Sequence, residues 1–347
     1  MRRVSRVSEG GGPRTAEIRA ELERALGERR GGPVSVAALE RRPCAYRTSF
    51  ALDELDVELS DGTRLRLMLK DLSRAALHEE ALAAKPTLLY DPLREIHVYR
   101  DLLDGAGLGT AEYHGARVDP ARDRWWLFIE NVVGDALWQI GEFGVWEEVA
   151  RWLARMHGAL AGRNGQGGPL LRYDRELLGV WARRAAGFAD DPRTAWSTAD
   201  RQRIRALAAR YDAVTEQLAA LAPTFIHGEF YPSNVLVQQG GEAPRVCPID
   251  WEIAAIGPGL LDLAALSIGK WSDAERGRLA AAYRAAAAPR AETAAHLADD
   301  EFNRALDFAR LHLAVQWLGW EPNWEPPVEH RHDWLGEALA LAERLGV

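Results

Sequence analysis

The sequence predicts an α+β fold in which a small, mostly antiparallel sheet precedes a larger, mainly helical part. Three observations carry the prediction. Two alternating runs flank Ser60-Asp61-Gly62-Thr63, and Asp-Gly between such runs is a strong hairpin signal. After Gly134 the apolar spacing changes from two to three and four residues over several long segments. The short strand-like runs that recur late, "TFIH", "VLVQQ" and "RVCPID", bracket a polar loop instead of forming a long sheet.

In chain order, Met1 to Gly12 is polar and Gly-rich and reads as disordered, whereas Thr15 to Arg29 carries Ile18, Leu22 and Leu26 at four-residue spacing and reads as an amphipathic helix. A Gly-Gly-Pro break at 31–33 ends it. In "RLRLMLK", Leu65, Leu67 and Leu69 share one strand face, and Arg64, Arg66, Met68 and Lys70 the other. Pro92 to Leu103 is helix-like, and "TAEYHGARV" and "RWWLFIENVVG" read as two further strands joined by "DPARD". Beyond Gly134 come helical segments, with Ser197 and Asp200 set three apart like a capping box, and the tail from Asp262 is helical again. The expected division is residues 1–35 as tail and amphipathic helix, 36–133 as the sheet-bearing lobe, and 134–347 as the helical lobe.

Composition narrows the function classes. A net charge of -8 argues against a general nucleic-acid binder and against attachment to an anionic membrane. The basic N-terminus lacks the apolar run of a secretory signal, and no segment is long and apolar enough to span a bilayer. Only Cys44 and Cys247 are present, with no metal-type spacing and no disulfide framework, so a reduced, cytoplasmic setting is expected. The chain is expected to act as a monomer or homodimer.

The stretch "FIHGEFYPSNVL" carries the chemistry. Glu229 is followed five positions later by Asn234, and Asp250 ends the next strand-like run in "PIDWE". Phosphoryl transfer needs a clamp on the phosphates, metal ligands, and a carboxylate that orients the attacking hydroxyl. An acid with an Asn five residues on matches a phosphoryl-transfer loop. Asn234 and Asp250 supply hard oxygen ligands of the kind Mg²⁺ accepts beside phosphate and water. Taken singly, Asn234 could cap a turn and Lys70 could be a solvated strand end; the shared register favours the functional reading.

These motifs resemble the aminoglycoside phosphotransferase family. Its pattern of His-Gly-Asp, four residues, Asn, then Asp-Trp-Glu, Gly-Pro and Asp-Leu-Ala is met by His227-Gly228-Glu229, Asn234, Asp250-Trp251-Glu252, Gly257-Pro258 and Asp262-Leu263-Ala264. The departure is Glu229 in place of Asp. The resemblance implies a bilobed protein-kinase-like fold with a small antiparallel β-sheet N-lobe and a larger mainly helical C-lobe. It implies ATP or GTP with Mg²⁺, and a hydroxyl acceptor such as an antibiotic, an amino sugar or a biosynthetic intermediate. It also implies that Lys70 reaches the nucleotide phosphates and pairs with Glu95, Glu80 being the other candidate. Met68 would roof the adenine, with Ile129 behind it, and the carbonyl of Glu130 and N–H of Val132 would hold its edge. No Gly-rich phosphate loop is present; "YRTSF", with Ser49, is expected to take its place.

Other residues receive plainer expectations. His227 is read as structural, Asp262 as a helix cap that ties the loop, and Trp251 as core. Trp317, Trp320 and Trp324 fit either a helical-lobe core or an aromatic wall for substrate. Glu229 keeps the acid and adds one methylene, which favours an active enzyme. The alternative is a pseudokinase that binds nucleotide or a small ligand without transfer. A protein kinase fits less well, since no Asp-Phe-Gly or Ala-Pro-Glu segment occurs.

Overall fold

The computed structural model describes residues 13–44, 49–78, 85–162, 168–194, 196–241, 243–269, 271–288, 294–320 and 331–347. The tail before Pro13, Tyr46 to Thr48, Glu80 and Trp324 lie outside them. Internal contacts divide the chain into two compact units, Met1–Leu82 with Ala111–Val132, and Ala83–Thr110 with Val133–Val347. The chain thus leaves the first unit for good after Val132. The segment 83–110, placed in the small lobe by its position in sequence, packs with the second unit instead.

The first unit is a five-stranded antiparallel sheet under one helix. Its strands are β1 (Val36–Pro43), β2 (Leu52–Leu59), β3 (Arg64–Asp71), β4 (Tyr113–Asp119) and β5 (Arg124–Glu130), in the order β1-β2-β3-β5-β4. β1 was not foreseen. It is an edge strand with mostly exposed side chains, so it lacks the apolar alternation that marks a half-buried strand. The helix α1 (Pro13–Arg30) covers the leucine face. Ile18, Leu22 and Leu26 are at most 1% exposed and pack with Leu55, Val57, Leu67, Leu69, Trp126 and Phe128. Burial of each such side chain contributes about 1.5–3 kcal/mol. Gly115 of β4 makes the close approach possible: at φ +147° it has no Cβ, and one built there would lie 2.7 Å from the Ala25 Cβ. A buried carboxylate, Glu21, locks the contact. It accepts from Arg117 Nε at 2.7 Å and Arg124 Nη1 at 2.9 Å.

The second unit is mainly helical. Its helices are α2 (Pro92–His97, continued by a wider turn over Val98–Leu103), α3 (Phe143–Ala159), α4 (Arg175–Phe188), α5 (Thr198–Ala209), α6 (Asp212–Ala219), α7 (Leu260–Leu266), α8 (Asp273–Ala286), α9 (Asp299–Trp320) and α10 (Trp334–Leu345). Ser197 caps α5 by accepting the Asp200 N–H, as its spacing suggested. The long α9 packs on α4, α7 and α10 and is the centre of the core. There, buried His312 meets the Tyr211 hydroxyl at 3.0 Å. Two small sheets, ordered β10-β9-β6 and β7-β11-β8, carry the polar loop. They comprise β6 (Asp135–Ala136), β7 (Leu171–Arg172), β8 (Pro223–Ile226), β9 (Val235–Gln238), β10 (Arg245–Pro248) and β11 (Ala255–Pro258). Among the described residues no helix is long and apolar enough to cross a membrane, and both cysteines are buried and outside any disulfide.

Candidate active site

The first unit gathers Ser49, Met68, Lys70, Ile129, Glu130 and Val132. Register sets Met68 opposite Ile129 and Lys70 opposite Leu127. Opposed residues share a face, so Met68, Lys70 and Ile129 lie on the side of the sheet away from α1, whereas Glu130 is opposite Leu67 on the leucine face. Lys70 is 7% exposed, and its ammonium lies 5.5 Å from the centre of the Phe50 ring. Phe50 forms a bridge with Leu77, and the Ser49 carbonyl accepts the His78 N–H at 3.0 Å, which fixes this segment beside Lys70. At the end of β5 the Glu130 N–H donates to the Glu112 carbonyl at 2.8 Å, and the Asn131 N–H to the Arg66 carbonyl at 2.9 Å. Val132, buried, closes the unit.

The second unit gathers Glu229, Asn234, Asp250 and Glu95. β8 ends at Ile226, and the loop turns under the carboxylate of Asp262. Asp262 is fully buried on α7; its oxygens accept from the His227 N–H at 2.7 Å and the Gly228 N–H at 2.9 Å. It does not cap its helix, a position Gly259 occupies. His157 of α3 supports the same carboxylate at 3.2 Å through Nε2, with its Nδ1 at 2.8 Å from the Tyr283 hydroxyl. Gly228 sits at φ +85°, and a Cβ there would lie 2.5 Å from the Ile253 carbonyl oxygen. The His227 ring is fully buried, its Nε2 at 2.9 Å from the Ile249 carbonyl and its Nδ1 receiving the Glu229 N–H at 3.3 Å. A carbonyl can only accept and a backbone N–H can only donate, so the ring is the Nε2–H tautomer, a structural bridge with no lone pair left for proton transfer.

The next bonds fix Glu229 against Asn234. The Glu229 carbonyl accepts from the Tyr231 N–H at 2.6 Å and from Asn234 Nδ2 at 3.0 Å. The Asn234 carbonyl in turn accepts the Ile249 N–H at 2.9 Å, which ties the loop to the segment entering Asp250. Glu229, Asn234 and Asp250 are each half-buried. Asp250 lies two residues beyond the end of β10, in a left-handed conformation at φ +66°, which aspartate tolerates better than most residues. The phenols of Tyr173 and Tyr231 are pushed upward chiefly by burial and then by the Glu229 carboxylate.

A clamp that the sequence did not reveal holds the Asp-Trp-Glu segment. Glu95 Oε1 accepts the Trp251 N–H at 3.3 Å. Arg94, 3% exposed, donates to the carbonyls of Glu252 at 2.6 Å, Leu89 at 2.7 Å and Pro169 at 2.8 Å. Lys85 Nζ meets Glu252 Oε2 at 2.5 Å. Arg94 sat beside Glu95 in the sequence, yet nothing in local spacing pointed it 158 residues ahead. The tryptophans of α9 prove to be packed. Trp317 is 5% exposed and stacks on Trp334 at 5.1 Å, while Trp320 tilts over Trp181 at 5.2 Å.

The donor set fits a Mg²⁺ ion shared with phosphate. Asn234 directs its NH₂ at the Glu229 carbonyl, which leaves Oδ1 as an oxygen ligand, and Asp250 adds a carboxylate. Among the described residues no cluster of three or more His, Cys, Asp or Glu side chains forms an all-protein cage. Mg²⁺ ordinarily needs only one or two protein carboxylates beside substrate phosphate.

Comparison with known proteins agrees with this architecture. Choline kinase from Cryptosporidium parvum Iowa II superposes with a TM-score of 0.55 at 14% identity, covering 88% of each chain. The GDP complex of aminoglycoside 2'-phosphotransferase-IIIa gives 0.55 at 13% identity, covering 94% of this chain and 97% of that one. Ethanolamine kinase of Plasmodium vivax gives 0.53 at 13% identity, covering 89% and 82%. At such identities the likeness shows the shared kinase-like fold. No curated protein matches the sequence. The family model for phosphotransferase enzymes matches residues 53–298, a span that includes Lys70, the loop from His227 to Asn234, Asp250 and Asp262. The chain therefore belongs to the phosphotransferase enzyme family, small-molecule kinases built on a protein-kinase-like fold.

Proposed function

We propose that this protein transfers the γ-phosphoryl group of ATP or GTP to a hydroxyl of a small molecule. The observation that carries the reading is the loop in which Asn234 is bonded to the Glu229 backbone while Asp262 holds the two residues before it. Such a frame fixes a carboxylate and a metal-binding amide relative to one another, and most catalysis of phosphoryl transfer is positioning and electrostatics.

In this reading the acceptor oxygen bonds to the γ-phosphorus as the bond from that phosphorus to the β–γ bridging oxygen breaks. The nucleoside diphosphate leaves, and the hydroxyl proton passes to the Glu229 carboxylate. Lys70 pairs with the nucleotide phosphates, and Met68, Ile129, the Glu130 carbonyl and the Val132 N–H receive the base. Asn234 and Asp250 would hold Mg²⁺, which when bound would supply charge neutralisation at the phosphates. Nucleotide binding is supported by the family and by a structural neighbour determined with GDP. The two buried thiols suit a reducing, cytoplasmic setting.

Single-turnover transfer of labelled γ-phosphate to a panel of alcohols tests the reading. Glu229→Gln is expected to lose about 10²–10⁴ in rate, and Glu229→Asp to retain activity, within the ~10²-fold that a misplacement of about 1 Å can cost. Binding of Mg-nucleotide with no transfer to any acceptor would favour the pseudokinase, and absence of nucleotide binding would defeat both.

A further inference from the structure

The chain passes between its two compact units at residues 110–111 and 132–133, and on the large-unit side both passages are held by specific contacts. At the first, three successive carbonyls each accept a side-chain donor. Leu108 accepts from Trp152 Nε1 at 2.7 Å, Gly109 from Arg245 Nε at 2.8 Å, and Thr110 from Arg245 Nη2 at 3.0 Å. At the second, Asp135 pairs with Val237 of β9, and a Cβ on Gly134 would lie 2.9 Å from the Val237 carbonyl oxygen. The Oε1 of Gln238, the next residue, accepts from Arg245 Nη1 at 3.0 Å. Each nitrogen of the Arg245 guanidinium thus has its own acceptor, a planar fork that an ammonium cannot reproduce.

The two donors lead to the catalytic loop by separate routes. Trp152, 4% exposed on α3, stacks on Phe230 at 6.0 Å and 8°, and Phe230 follows Glu229. Arg245 opens β10 opposite Gln238, the last residue of β9. At the other end of this hairpin Val235 pairs with Pro248, next to Asn234 and two residues before Asp250. Strands this short span only about 10–13 Å, so a shift at the Arg245 end is carried to the end that bears Asn234 and Asp250. The segment Leu108–Thr110 is therefore bonded through Trp152 toward the acid and through Arg245 toward both metal-binding residues.

We infer that Trp152 and Arg245 are positioning residues for phosphoryl transfer: by holding Leu108–Thr110 they fix Glu229, Asn234 and Asp250 from the place where the chain passes between its units. The inference rests on the kinase reading above for the roles of those three residues and adds what sets their position. Two variants of the full chain test it. Trp152→Phe keeps a ring against Phe230 and loses the bond to Leu108; Arg245→Met keeps an apolar stem and loses the fork. In both, hydrogen exchange without ligand is expected to quicken about three- to tenfold at residues 104–110 and also at 229–234, where neither variant removes a hydrogen bond. Single-turnover cleavage of γ-labelled Mg-ATP, with water as acceptor, is expected to slow about five- to twentyfold with nucleotide Kd unchanged. Because one segment is shared, the double variant is expected to lose less than the product of the two single losses. Faster exchange confined to 104–110 would overturn the inference. So would unchanged turnover, a rate loss matched by an equal rise in nucleotide Kd, or single losses that multiply in full. Where Arg245→Met does not fold, Trp152→Phe decides on the same two measurements. A wild-type chain that neither cleaves Mg-ATP nor transfers phosphate to any alcohol would defeat the kinase reading instead; the exchange pattern, which needs no acceptor, would still support or overturn the coupling.

Discussion

The Lys85 ammonium lies 2.5 Å from the Glu252 carboxylate, and both side chains are less than a tenth exposed. Removing one partner leaves a buried charge without its counterion, which is costlier than removing both. Lys85→Met is expected to destabilise the protein by about 3–5 kcal/mol, and Lys85→Met with Glu252→Leu to recover most of that loss. Urea unfolding of the two variants checks it. Glu252 is two residues from Asp250, so Lys85→Met is also expected to raise the Mg²⁺ concentration needed for half-maximal transfer.

Asp262 accepts from two backbone N–H groups and from His157. Asp262→Ala would leave these buried donors unmatched, at about 1–3 kcal/mol each. The expected outcome is a lower urea midpoint, together with a fall in kcat much larger than any change in nucleotide affinity. Comparison of single-turnover rates with nucleotide titration separates the two effects.

Gly228 combines a left-handed φ of +85° with a carbonyl oxygen where its Cβ would be. Gly228→Ala is therefore strained twice over, by about 1–3 kcal/mol for the backbone alone. It is expected to displace Glu229 and lower kcat at least tenfold, with the thermal shift given by Mg-nucleotide retained. A variant with unchanged kcat would show that the loop's position does not limit the reaction.

Burial holds the His312 imidazole down to about 3. Unfolded, it titrates near about 6.5. Between those values the unfolded chain binds the extra proton, so this histidine's contribution is full above pH 6.5 and is lost as pH falls toward 3. His312→Gln removes the titration. The stability gap between wild type and His312→Gln is thus expected to be larger at pH 7 than at pH 4.5, measured by urea unfolding at each pH.

Local order was legible where one short stretch of chain decides it. The four-residue spacing of Ile18, Leu22 and Leu26 announces α1, and alternation in β3 separates Lys70 and Met68 from the leucines. The motif residues were legible because the loop from His227 to Asn234 closes on itself within eight residues. What was hidden is long-range. β1 lies at a solvated edge and shows no apolar period. Asp262 ties the loop as its sequence context suggested, but through the His227 and Gly228 N–H groups and not as a helix cap. Lys85, Arg94 and Glu252 are ordinary surface types in sequence, and their burial follows from packing that no local window contains. Of the two readings of the α9 tryptophans, core and substrate wall, Trp317 takes the core one; the indoles that line a cavity beside the loop are Trp138, Trp146, Trp271 and Trp334.

The interrupted make-up of the two units also sets an order of events during synthesis. The small sheet has all its strands once Glu130 has been made, so α1 can be buried early. The stretch 83–110, made in the middle of that process, belongs to the other unit and finds no partner yet. Arg94 must wait 158 residues for the Glu252 carbonyl. At about 5–20 residues per second that is roughly ten to thirty seconds on the ribosome. For that interval the future clamp is an unprotected segment with Lys85, Arg94 and Glu95 destined for burial, and the polar loop cannot be braced until it closes.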